Sequence, residues 1–406
     1  MSGAPTRSFQ SAVLERFPIA PLALLAVAVV AACDGRRADG AVPARAGSAA
    51  VAAAPAQAPL ADSTFARLIA ELSEPGGYFD TDNLISNEAS YLHVAQDLRA
   101  LRGGGGAYIG VGPDQNFSYI AALRPTIAFI LDIRRDNLLQ HLFFKALFEL
   151  SPDRLTYLRL LFGRELDRAG HDEANAGIDA LVERLDAAPV TVESREHALR
   201  SVREHVQTLG VPLSAEDLER IDFIHRSFID AGPDLRFTSH GRRPQFYYPT
   251  YRQLLLERDR TGQQANYLAS ADDFRFLKRM QERNLVIPVV GDFAGPHALA
   301  AIGREVARRG ERVVAFYTSN VEFYLMMDGV FDRFAGTVAE LPRADNAVVV
   351  RSYFNRGRRG HPATVPGYYS TQLVQDMGEF VEGWRRGEYR SYFALVMAPA
   401  SDPAVR

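Results

Sequence analysis

Two glycines and a spaced acid mark the stretch of this chain best suited to chemistry. Ala107-Tyr-Ile-Gly-Val-Gly-Pro-Asp-Gln-Asn116 leads an apolar run into a short helix, and Thr126-Ile-Ala-Phe-Ile-Leu-Asp132 follows. Gly110 and Gly112 let backbone approach a ligand, and the helix start offers free N–H groups. An acid about 20 residues on accepts hydrogen bonds from ribose hydroxyls. The combination suits an adenosine-type cofactor, although a tight turn alone also needs such glycines. Asp114, Gln115 and Asn116 stand at the helix start, where they either cap it or reach the ligand. Asp132 closes an apolar strand, where an isolated acid is costly. It either binds ribose or pairs with Arg134 or Arg135. Asp292, after Gly291, repeats the pattern of an acid closing an apolar run.

Further candidates flank this framework. Ser319, Asn320, Glu322 and Tyr324 follow an apolar run, at the strand end where open α/β sheets bind ligands. Asn320 would orient an amine or carbonyl acceptor, and Glu322 would serve as a general base if its pKa is raised. The alternative is a capped helix start. Asn87, Glu88 and Tyr91 follow Leu84-Ile85 and either close a cofactor pocket or form a helix N-terminal box. Tyr247, Tyr248 and Tyr251, with His240, Arg242 and Arg243, form an aromatic and basic loop. It either holds a planar or anionic substrate or packs one part of the chain on another. No His-Glu-x-x-His or Gly-x-Ser-x-Gly occurs, and His171-Asp172-Glu173 reads as a solvated loop, so no metal is expected.

The elements that must position these residues alternate. Strands are expected at 108–111, 126–132, 284–292, 312–320 and 346–353, with a closing strand at 392–397. Helices are expected at 64–72 behind a Ser63 cap, up to about 101, at 117–124, 137–150, 297–309 and 370–386. The last carries the only tryptophan, Trp384. Apolar strands alternating with helices imply an α/β fold with a doubly wound, mostly parallel sheet. Between 151 and about 275 the pattern is helical only, with amphipathic stretches at 154–162, 176–185, 194–209 and 214–229. This reads as a helical insertion in an α/β domain covering 62–400.

The N-terminal part has its own character. Arg7 and Arg16 precede an apolar run, Ile19 to Ala32, too short for a comfortable membrane span and ending in small residues, as a secretory signal does. Val30-Ala31-Ala32-Cys33 resembles a bacterial lipobox, which implies a lipoprotein signal over 1–33 and a lipid anchor at Cys33. The alternative is a buried apolar helix with an incidental cysteine. Residues 34–61, rich in Ala and Pro, read as a disordered tether with a reach on the order of 90 Å. These readings place the protein in the bacterial cell envelope on the periplasmic side, or in the cytoplasm if the signal is misread. Cys33 is the only cysteine, which excludes internal disulfides and thiolate metal clusters. With 46 basic and 49 acidic residues the net charge is -3, which points away from nucleic acid as a partner.

The Gly110-Val-Gly112 turn, Asp132 and Gly291-Asp292 together resemble the class I S-adenosylmethionine-dependent methyltransferases. The pattern departs from a dinucleotide fingerprint, because Gln115 stands at its third position, and no P-loop sequence is present. The resemblance spans roughly 105–150 and 275–397. It implies a Rossmann-like sheet with the turn at the methionine end of the cofactor, Asp132 on the ribose, Asp292 near the adenine, and Asn320 on the catalytic face. Tyr108 stands where that family usually has an acid, and Asp114 where it has a third glycine. The string also resembles an uncharacterised bacterial family of methyltransferase-like proteins. The expected activity is methyl transfer from S-adenosylmethionine to a small-molecule or peptide acceptor. The alternative is a non-catalytic, membrane-anchored binding module, since an exported protein meets little of that cofactor.

Overall fold

The computed structural model describes residues 58–165, 176–240, 243, 245–355 and 360–398. Cys33, nearly all of the expected tether, Arg242 and the 171–173 loop lie outside them.

Six strands form one sheet: β1 (Ala107–Gly110), β2 (Ile127–Asp132), β3 (Val286–Val290), β4 (Val313–Ser319), β5 (Arg343–Phe354) and β6 (Ser370–Asp376). Their order is β3-β2-β1-β4-β5-β6, parallel throughout except that β6 runs antiparallel to β5. β1, β2 and β3 are buried at every residue. Helices cover both faces, which is why these strands read as continuous apolar runs rather than alternating ones. The chain builds outward from β1 to β3, then crosses back to place β4 on the other side of β1. The ends of β1 and β4 therefore diverge, leaving the crevice where such sheets take ligands. The register Asp132↔Val290 sets the end of β2 beside the end of β3. This is the doubly wound, mostly parallel α/β architecture that the sequence implies.

Helices follow in chain order: α1 (Asp62–Leu72), α2 (Ala95–Ala100), α3 (Gln115–Leu123), α4 (Arg135–Leu150), α5 (Arg154–Phe162), α6 (Ile178–Ala187), α7 (Val192–Thr208) and α8 (Ala215–Ala231). Then come α9 (Tyr251–Leu256), α10 (Ala271–Glu282), α11 (Ala298–Arg308), α12 (Val321–Met327), α13 (Phe331–Glu340), α14 (Met377–Arg385) and α15 (Tyr392–Val396). Helices α5 to α10 fill the chain between α4 and β3, and among the described residues β pairing there is limited to isolated bridges such as Arg236↔Thr250. Phe117 of α3 joins this part to the sheet layer: His141, Phe144, Phe148 and Tyr267 pack edge-on around its ring at 5.4–5.6 Å. α10 runs through position 275, so the expected end of the insertion falls inside a helix. No described helix is long and apolar enough to cross a membrane.

Two expectations at the C-terminal end are reversed. The expected helix over 370–386 is strand β6 followed by α14, and the expected strand over 392–397 is α15. All seven residues of β6 are buried although four are uncharged polar ones. Their partners compensate: Ser370 meets Ser90 at 2.8 Å, Gln372 meets Ser352 at 2.8 Å, and Gln375 meets Arg351 at 2.6 Å. A strand buried by polar pairing carries no apolar alternation to reveal it. α15 is short and capped by Ser391, whose Oγ accepts from the Ala394 N–H. Ser63 is no cap either, since α1 begins one residue earlier, behind Ala61.

Candidate functional site

The turn after β1 is built from within. An ideal Cβ at Gly110 would lie 2.0 Å from Asn116 Oδ1 and 2.7 Å from the Tyr108 ring, so only glycine fits. Asn116, fully buried, donates from Nδ2 to the carbonyls of Val111 (2.9 Å), Gly112 (3.2 Å) and Pro113 (2.7 Å). Its Oδ1 accepts the Tyr108 hydroxyl at 2.8 Å. Gly110 and Asn116 thus shape the turn, while Gly112, at φ 83°, faces a cavity. The Gly112 carbonyl accepts His141 Nε2 at 2.9 Å from behind. Burial pushes His141 down to about 4, so this ring is neutral with its proton on Nε2.

The cavity measures about 550 Å³ and opens above the carboxyl ends of the parallel strands. That volume suits a small-molecule ligand. It gathers most of the residues singled out from the sequence: Gly112, Gln115, Asp132, Asp292, Asn320 and Tyr324 from the sheet side, Asn87 and Glu88 from the segment before β1, and Tyr247 and Tyr248 from the insertion. The β5–β6 loop adds Tyr369, which stacks on Tyr247 with centroids 4.3 Å apart and planes 17° apart. Tyr248 meets Tyr247 and Phe237 edge-on at 5.1 and 4.8 Å. These rings form an aromatic wall near the mouth, where Tyr78 and Phe246 stand largely exposed.

The acids around the cavity differ in what already holds them. Asp132 pairs with Arg134: Oδ1 accepts the backbone N–H (2.9 Å) and Nε (3.1 Å), and Oδ2 accepts Nη2 (2.9 Å). The ion-pair alternative therefore describes its contacts, with one acceptor site left on Oδ2. Asp292 caps the turn at Ala294 through Oδ1 (2.9 Å). Glu74, which the sequence reading passed over, accepts the N–H groups of Asp292, His297 and Ala298, placing an internal carboxylate at the start of α11. Glu88 is the most enclosed, 1% exposed, and accepts from Tyr317 Oη (2.7 Å), Gln372 Nε2 (2.9 Å) and Ser319 Oγ. Ser319 holds that bond at φ 53°, a left-handed conformation that costs a serine on the order of 1–2 kcal/mol.

Several expected site residues lie elsewhere, Gly110 among them. Glu322 is fully buried and bound by Arg351, Nε at 2.7 Å and Nη2 at 3.0 Å, with Gln375 on the remaining arm. Its helix turns it away from the cavity into an ion pair, so it is no general base in this arrangement. Asp114 leaves the cavity for the insertion, where Tyr251 Oη (2.5 Å) and Tyr267 Oη (3.2 Å) both donate to its Oδ2. Burial raises it to about 6, against the lowering effect of those two bonds. Asn116 serves the turn alone. Tyr91, too, is a core residue, donating to the Leu254 carbonyl at 2.9 Å. Among the described residues no group of three or more His, Cys, Asp or Glu is placed to hold a metal.

Sequence reasoning missed Tyr317, Arg351 and Gln372, and left the partner of Asp132 open between Arg134 and Arg135. Arg351 sits in an apolar strand, and a charged residue there signals a buried partner. Gln372 gave no signal, because its segment reads as helix.

The sequence matches the model of one family, described as "Domain of unknown function (DUF7790)", over residues 84–391. No curated protein matches the chain. Among solved structures, an rRNA methyltransferase, aviRa from Streptomyces viridochromogenes at 2.4 Å, is similar at 12% identity, covering 77% of this chain and 98% of that one. The TM-score of that match is 0.28, too low to bear on the site.

Proposed function

This chain belongs to the DUF7790 family, and we propose that its domain binds S-adenosylmethionine in the switch-point cavity and directs methyl transfer to an acceptor. One observation carries this reading: the cavity brings Gly112, Gln115, Asp132, Asp292 and Asn320, which are far apart in sequence, onto a single concave surface. Its residues fit the cofactor. A Cβ at Gly112 would crowd Gln115 Nε2 at 3.1 Å, so the turn keeps its backbone open to a ligand. Gln115 Oε1 is buried without a partner. Asp132 and Asp292 would hold the ribose and adenine end, and Gly112 and Gln115 the methionine end.

Bound there, the cofactor supplies an electrophilic methyl group. The chain's own contribution is to exclude water and hold an acceptor in line, a matter of proximity and orientation. Asn320, which lines the cavity, would position the acceptor from the end of β4. Calorimetry of the purified protein with S-adenosylmethionine and S-adenosylhomocysteine tests the reading. Saturable binding is expected, and no heat at millimolar ligand would sink it.

A second reading is favoured by the fates of Asp132 and Glu322. Both carboxylates are engaged by arginines, which suits a module that binds a ligand without catalysing its conversion. In that case binding would persist without turnover for any acceptor. The envelope location belongs to either reading: Cys33 would carry the lipid and place the domain at the membrane. A Cys33→Ala variant is then expected in the soluble fraction, and its persistence with membranes would remove the anchor.

A further inference from the structure

Two acceptors in one corner of the cavity lack what they are built to receive. Glu88 is a buried carboxylate whose protein partners, Tyr317, Gln372 and Ser319, are all uncharged. Among the described residues no Lys, Arg or His forms an ion pair with it. Burying a carboxylate without a cation is costly, and neutral hydrogen bonds offset only part of that. Its Oε2 accepts two bonds and Oε1 one, so Oε1 retains an open site.

Gln115 stands beside it. The Tyr317 hydroxyl gives its single proton to Glu88, so toward Gln115 it can only accept. That fixes Gln115 Nε2 on Tyr317 at 3.3 Å and turns Oε1 away. Gln115 is 7% exposed, and its Oε1 is buried with no hydrogen-bond partner. Both residues line the same cavity. The other charged side chains of that lining are Asp132, Asp292, Asp328 and Arg134, and Arg134 is tied to Asp132 and to the Asp82 carbonyl. The strained Ser319 adds to the argument, since its left-handed backbone keeps the hydroxyl on Glu88. An anionic or acceptor-only group beside Glu88 Oε1 and Gln115 Oε1 would meet two acceptors. A primary ammonium carries three N–H donors and the missing charge.

We propose that Glu88 and Gln115 form a subsite for a primary ammonium group in the floor of the cavity. The inference rests on the reading of this cavity as the ligand site. The ammonium has two sources of the same chemistry: the amino-acid end of the adenosyl cofactor, or an amine acceptor beside the aromatic wall.

Calorimetry of the full chain and of Glu88→Gln separates them, with four probes: S-adenosylhomocysteine, methylthioadenosine (which lacks the amino-acid end), phenethylamine and phenylacetate. If the cofactor supplies the ammonium, Glu88→Gln weakens S-adenosylhomocysteine about tenfold or more and leaves methylthioadenosine within twofold. If an acceptor supplies it, the same variant leaves both adenosine compounds unchanged and weakens phenethylamine about tenfold. Binding of phenethylamine that Glu88→Gln weakens, with no binding of either adenosine compound, would keep the subsite and sink the methyl-donor reading. Gln115→Leu, which removes only the unpartnered amide, is expected to weaken the same probe, and it carries the test if Glu88→Gln fails to fold. Unchanged affinities across the probes, no binding of any amine-bearing probe, or phenylacetate binding as tightly as phenethylamine would overturn the proposal.

Discussion

Replacing Asp114 by Asn should reshape the pH dependence of stability, because burial raises the pKa of this carboxyl toward neutral pH. It is 4% exposed, and burial raises it from 3.8 to about 6 while two tyrosine hydroxyls oppose the shift. A folded-state value above the unfolded one means the native protein binds the proton more tightly. Stability from this group is therefore full below the unfolded value and is lost as pH rises toward and through the folded one. A shift from 3.8 to about 6 corresponds to about 3 kcal/mol in total. About half of that is lost between roughly pH 5 and pH 7.5, an interval clear of general acid unfolding. Asn keeps an oxygen for Tyr251 and Tyr267 but cannot ionise. Its NH₂ group, like the proton of the neutral acid, needs an acceptor, and any constant cost cancels when profiles are compared. Urea unfolding at several pH values should show wild type losing about 1.5 kcal/mol relative to Asp114→Asn over that interval. Parallel profiles would refute the reasoning and show that Asp114 is ionised in the fold.

Other consequences are equally direct. Arg351→Met strands the Glu322 carboxylate in the core and should cost about 3–5 kcal/mol in unfolding free energy, read from a denaturant midpoint; replacing Glu322 by Leu as well should recover most of it. Gly110→Ala places a methyl on Asn116 Oδ1 and should destabilise by about 1–3 kcal/mol or prevent folding, seen as a lowered melting temperature. Burial lowers His141 and His225 from 6.5 to about 4, so each contributes stability present above 6.5 and lost as pH falls toward 4. His225→Gln, which keeps a donor for the Leu160 carbonyl, should flatten the acid limb of the stability curve by up to about 3 kcal/mol.

The framework of the site is legible in the residues because it depends on local rules. An apolar run between turn residues is a strand buried on both faces, and Gly112 is needed at its φ of 83° whatever surrounds it. Asp132 and Asp292 were found because an acid ending an apolar strand stands out against its background. The same logic found Asn320, since strand ends in such sheets face the crevice.

What the residues could not reveal was which polar side chains turn inward to one another. Glu322 and Asn320 are two residues apart, and only the direction of α12 sends one to Arg351 and leaves the other on the cavity. Asp114 and Gln115 are adjacent, yet one joins the tyrosines of the insertion and the other faces the ligand space. β6 was hidden because its burial is compensated by side chains from β5 and from the segment before β1, over sequence separations up to 284 residues. Local pattern thus determined strands β1 to β5, most of the helices and the position of the crevice, since backbone propensity and apolar periodicity act over a few residues. The tertiary structure alone decided which acid has its pKa raised by burial, which is paired and which is left facing the cavity, because desolvation and hydrogen-bond partners arise only when distant segments pack.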